Sequence, residues 1–146
     1  MSNVSKVINE LVCRIEMLTG IRPIVYNTYP AVMDENAIYI LSPQEDEITI
    51  RPMISSDSWH EFKIEVFKVT HVSNMNRAKD VKENIVQSLE ENDSFRKIVV
   101  PRFGLLHNIA GSVITEMNYG TSTWVTDTKV FSAYKMTLMF SDVLED

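Results

Sequence analysis

The sequence predicts an α+β domain: a mostly antiparallel sheet with two helices packed on one face. Two observations point there. Residues 2–18 and 77–91 carry apolar side chains at helical spacing, and the segments between and after them alternate in the manner of strands. A third decides the sheet type. With only two helical segments, parallel crossovers cannot connect about seven strands, so most neighbours must be antiparallel.

Taken in order, residues 2–18 form an amphipathic helix. Val4, Val7, Ile8, Leu11, Val12, Ile15 and Leu18 recur at i, i+3, i+4 and i+7, filling one arc about 140° wide. Ser2 is the expected N-cap and Gly20 the left-handed stop. Cys13 and Met17 lie one turn apart on the polar side and make a small apolar strip there. Residues 22–27 read as a short strand around Ile24, Val25 and Tyr26. Residues 28–36 read as a loop with Pro30 and the acidic pair Asp34–Glu35. Residues 37–41 (AIYIL) are rich in strand formers. A polar turn follows at 42–47, then a strand at 48–51 that Pro52 ends, and a loop at 54–58. Residues 59–70 form the long strand of the first half. Phe62, Ile64 and Val66 alternate with Lys63 and Glu65, and the apolar face then switches to Phe67 and Val69. That switch means either burial on both faces or a bulge.

Residues 77–91 form the second helix, with Asn76 as N-cap and a stripe of Ala78, Val81, Ile85, Val86 and Leu89. Residues 94–102 read as a strand that Pro101 confines to an edge or an end. Residues 103–111 are ambiguous. Residues 112–119 alternate as a strand, 120–123 read as a turn, and 128–141 form the clearest strand. Its one face is Val130, Tyr134, Met136, Leu138 and Phe140. The acidic tail 142–146 is expected to fray.

The 146 residues suit one domain spanning 1–146, and 45% hydrophobic with 23% charged residues excludes a disordered chain. No apolar run approaches the ~18 residues of a membrane helix, and residues 1–10 do not have the build of a secretory leader. A single cysteine, Cys13, excludes an intrachain disulfide and fits a reducing compartment. The four glycines are too widely spaced for a phosphate-cradling loop. The net charge is −6. The densest basic group, Arg77, Lys79 and Lys82, is interleaved with Asp80 and Glu83, which is a solvated helix face rather than a phosphate stripe. An acidic chain can still serve where DNA must slide past without sticking.

No catalytic constellation emerges. His60, His71 and His107 are scattered; on a regular strand His60 and His71 fall on opposite faces, and a metal needs at least three convergent ligands. Asp57, Ser58 and His60 contain the residue types of a triad but lie too close in one extended segment to converge. The carboxylate groups, Asp34–Glu35, Glu45–Asp46–Glu47, Glu90–Glu91 and the C-terminal Asp142, Glu145 and Asp146, fall in turns, at a helix end and at the C-terminus rather than in a cleft, and read as solvated charge or as an electronegative wall. No catalytic residue, cofactor or metal is expected. Trp124, in a Thr/Ser-rich hairpin-like stretch, is a candidate interface anchor.

The layout resembles the tail-terminator (tail-completion) proteins of long-tailed bacteriophages and the related neck proteins. The likeness is carried by the helix at 4–18, the Tyr29–Pro30 step before the short strand 37–41, the long strand 59–69, the helix 77–91 directly after it and the closing strand 130–140. It covers most of the chain and is an order of elements, not a residue motif. Residues 93–127 depart from it, being longer and more apolar. The resemblance implies a structural virion protein with no enzymatic activity, assembled in the host cytoplasm. It would form a ring, six-membered by the family's pattern, that caps the tail tube and joins it to the neck. The implied partners are further copies of itself and tail-tube, sheath or neck proteins. DNA passes through the lumen without sequence-specific binding, and no membrane is involved. Cys13, Met17, Tyr29, Asp34, Glu35, Glu45, Asp46 and Trp124 are the candidate subunit or tail-tube contacts. The rival readings are another neck, head-completion or baseplate subunit, or a small α+β ligand-binding domain or enzyme, which would need a deep pocket with convergent polar groups.

Overall fold

The computed structural model describes residues 3–28, 30, 33–52, 58–74, 95–125 and 129–144. The architecture is α+β, with a mostly antiparallel seven-stranded sheet. Helix α1 spans Val4–Thr19. Strands β1 (Ile24–Tyr26), β2 (Ile38–Leu41), β3 (Thr49–Pro52) and β4 (Ser58–Asn74) follow, with a 3-10 turn at Glu45–Glu47 between β2 and β3. A π-helical turn at Phe95–Val99 runs into the short helix α2 (Val100–Gly104), and β5 (Asn108–Ile109), β6 (Ser112–Val125) and β7 (Lys129–Leu144) close the chain. The strand order is β1-β2-β4-β7-β6-β5, with β3 also on β4. One pair, β1 with β2, is parallel; the others are antiparallel.

Helix α1 forms because its apolar stripe has a sheet to cover. Val4, Val7, Ile8, Leu11, Val12 and Ile15 are buried, each side chain contributing roughly 1.5–3 kcal/mol before entropic costs. Gly20 stops the helix as expected, at φ 75°, its N–H donating to the Glu16 carbonyl at 2.8 Å. The helix's start differs. Asn3 holds the N-cap position without capping through its side chain, which instead donates to the Ala110 carbonyl and to Ser112 Oγ. Ser2, the expected cap, lies outside the described residues.

The sheet separates two apolar clusters. The larger joins the α1 stripe to Ile38, Ile40, Phe62, Ile64, Val66, Tyr134, Met136, Leu138 and Phe140, and includes Phe95, Val99, Val100 and Phe103. The smaller comprises Met33, Tyr39, Leu41, Phe67, Val69, Phe131 and Ala133. Neighbouring residues of one strand thus fall in opposite clusters, as Ile38 and Tyr39 do, so one end of the sheet is buried on both sides. The switch in β4 has this cause: Val66 and Phe67 are both fully buried, with regular pairing between them. A bulge is also present, further on, between Val69 and His71.

Three segments differ from expectation. Residues 94–102 are not a strand. Phe95, Val99, Val100 and Phe103 sit on one side of the helical run, and the β-branched series Ile98–Val99–Val100 imitates a strand. Pro101 stands in the first turn of α2, where its missing N–H has no partner to lose. Residues 120–123 are not a turn. They continue β6, paired with Lys135 through Ser132 of β7. The acidic tail does not fray at Asp142, because β7 runs on to Leu144 and Asp142 is buried. In the ambiguous stretch, β5 and β6 join through Ala110–Gly111, both at positive φ (50° and 88°), the signature of a tight two-residue hairpin turn. The helix expected at 77–91 lies outside the described residues.

Candidate interaction surfaces

Helix α1 turns its Cys13–Met17 strip outward. Cys13 is exposed and Met17 is 85% exposed. Beside the strip, α1 and α2 bound a shallow groove of about 140 Å³ lined by Arg14, Met17, Leu18, Arg102, Phe103 and Leu106. Leu105, 75% exposed, lies next to it in sequence. Arg14 is held by Glu10 at 2.8 Å across one helical turn, and Arg102 is the more exposed of the groove's two described arginines. The groove is apolar in its floor and basic at its rim.

The acidic pair before β2 also does structural work. Glu35 Oε1 accepts the Val72 N–H at 2.9 Å, and the Asn36 N–H donates to the Val69 carbonyl at 2.7 Å. Together they tie the loop to β4 at its bulge. The Asp34 N–H donates to the Tyr39 hydroxyl at 2.9 Å, giving that buried phenol a partner. Burial pushes the Tyr39 pKa up, and burial does the same to Tyr134. The Asp34 carboxylate itself is exposed.

The second acidic group forms a different surface. Glu45 opens the 3-10 turn, Asp46 is exposed, and Glu47 Oε1 accepts the Gln44 N–H at 2.9 Å. The turn borders an open depression of about 320 Å³ that also includes Thr28, Ser42, Lys63 and Glu65. Lys63 stands 3.8 Å from Glu65, which also receives Lys135 at 3.5 Å. Ile50, in the strand that follows, is 59% exposed. The structure therefore does not bring the candidate contacts to one place. Cys13 and Met17 share the α1 surface, Asp34 and Glu35 the β2 entry, and Glu45 and Asp46 the turn before β3. Trp124 stands in β6 opposite Phe131 of β7, not in a loop. Tyr29 lies outside the described residues.

One arrangement had no forecast. Ser112, Asp142 and His60, on the neighbouring strands β6, β7 and β4, form a buried polar row. Ser112 Oγ donates to Asp142 Oδ2 at 3.0 Å, and His60 pairs with Asp142 in the strand register. His60 Nδ1 and Asp142 Oδ1 have no hydrogen-bond partner among the described residues. The composition is that of a hydrolytic triad, but the order is wrong: the imidazole must stand between hydroxyl and carboxylate to move the proton, and here the carboxylate does. The residues are also at most 6% exposed, so a substrate could not reach them. The bulge in β4 changes a further expectation. His60 and His71 pair with Asp142 and Ser132, which have the same parity along β7, so the regular-strand rule does not separate them. Among the described residues no group of three or more His, Cys, Asp or Glu could hold a metal, and no helix is long and apolar enough to cross a membrane.

No protein-family model and no curated protein matches this sequence.

Proposed function

We propose that the chain is a structural virion subunit of the tail-terminator kind. Copies associate head to tail into a closed ring, six-membered by the resemblance, that caps the tail tube and meets the neck. DNA passes through the lumen, and the acidic balance of the subunit keeps it from adhering. The observation that supports this reading best is the presence of two unlike, complementary surfaces on one chain. The groove between α1 and α2 is apolar with Arg102 at its rim, while the turn before β3 offers the exposed Asp46, and β3 itself the exposed Ile50. A ring built from one repeated contact needs two different patches that fit each other, and unlike charge sets their orientation. The layout of helix, short strands, long strand and closing strand supports it as well.

Imaging and native mass spectrometry of the purified protein, alone and mixed with tail tubes, test the reading. A six-fold annulus is the expected result. Arg102→Glu and Asp46→Lys should each abolish the annulus, and a mixture or double variant should recover it. Subunits that never form rings, on tubes or off them, would rule the reading out.

A further inference from the structure

Beyond Ile114, whose N–H donates to the His107 carbonyl, the outer side of β6 meets no other described strand. Among the described residues it is an open edge from Thr115 to Val125, on a strand of 14 residues. Proteins ordinarily blunt such edges with lysine, proline, inward charges or brevity. Thr115 does stand in a bulge, but residues 117–125 (MNYGTSTWV) contain no charge and no proline. In a chain of net charge −6, that run is a surface on which two copies meet no like-charge repulsion. It also exposes apolar area, with Tyr119 60% and Val125 63% accessible.

We propose that two copies of the chain pair through these edges, antiparallel and two-fold symmetric about Ser122. That register places Tyr119 opposite Val125 of the second copy, Thr121 opposite Thr123 and Gly120 opposite Trp124, each twice. Cross-strand pairs of apolar and of threonine residues are the favourable kinds. Gly120 adds a geometric reason. Nothing lies within 4 Å of where its Cβ would be, and a depression of about 220 Å³ opens over it, bordered by Asn118, Thr121, Lys135 and Thr137. A large residue opposite a strand glycine is the arrangement that compensates the missing side chain. The edge of β1, by contrast, offers three residues and cannot match this length. The pair uses one patch twice, so it is a contact of the free subunit and does not rest on the ring reading. A single strand edge of about nine residues from each copy makes a small contact, for which a weak dimer with a dissociation constant on the order of 10–100 µM is expected.

Sedimentation over a concentration series tests this. The wild type should pass from monomer to dimer in that range. Ser122→Asp and Ser122→Lys each face their own copy across the axis, so each alone should raise the dissociation constant at least tenfold. An equimolar mixture of the two should dimerise again, since the unlike charges then meet. Far-UV circular dichroism checks that both variants keep the sheet. Should either misfold, Ser122→Cys in a Cys13→Ser chain replaces them, with a disulfide-linked dimer expected under mild oxidation. A wild type that stays monomeric well above 100 µM, dimers that ignore both charge variants, or a Ser122→Cys chain that does not cross-link would each overturn the proposal.

Discussion

At the scale of single residues, the strain sits at Ala110. A residue with a Cβ at φ 50° occupies a region that glycine and asparagine tolerate better. Ala110→Gly should therefore raise stability by about 0.5–1 kcal/mol, read as a higher midpoint in urea. The buried row holds the opposite case. Ser112→Ala removes the donor that satisfies Asp142 Oδ2 and should cost about 1–3 kcal/mol, because the carboxylate then has a second buried oxygen without a partner. The tyrosines set an alkaline limit. An unfolded phenol releases its proton near pH 10, whereas burial holds Tyr39 and Tyr134 protonated to higher pH. The stability due to the neutral phenols is complete below about pH 10 and is lost as pH rises through the folded values. Thermal melts at rising pH should show the midpoint fall there, and Tyr39→Phe should blunt the fall.

At the scale of elements, the two-sided burial of β4 is directly testable. Phe62 and Phe67 belong to opposite clusters and both are buried. Phe67→Ala should destabilise as much as Phe62→Ala, by about 3–5 kcal/mol in each case. A sheet with one solvated face would make the Phe67 change nearly neutral. This is also the scale at which the sequence speaks most clearly and misleads most. The α1 stripe was legible because seven aliphatics repeat at helical spacing, and β7 was legible because Tyr134, Met136, Leu138 and Phe140 alternate without interruption. The segment 95–104 was not, since Ile98, Val99 and Val100 are strand formers held helical by burial of Phe95, Val99 and Phe103. Gly120 read as a turn because glycine usually marks one, whereas here it lies within a strand beside an open depression. The polar row was illegible for a different reason. Ser112, Asp142 and His60 are far apart in the chain, and only the register of β4, β7 and β6 aligns them.

At the scale of the whole molecule, the candidate contacts occupy separate surfaces. The α1 groove, the acidic turn and the open β6 edge each offer distinct chemistry: apolar with a cation, anionic, and uncharged backbone. The architecture also fixes an order of events during folding. Strands β6 and β7 are separated by only three residues of chain, while β4 must find β7 across a much longer stretch. Refolding should accordingly be governed by that distant pairing, on a millisecond-to-second scale. Until it is complete, the paired β6 and β7 carry Phe131 and Phe140 bare to solvent, and the newly made chain is at its most vulnerable to clumping in that interval.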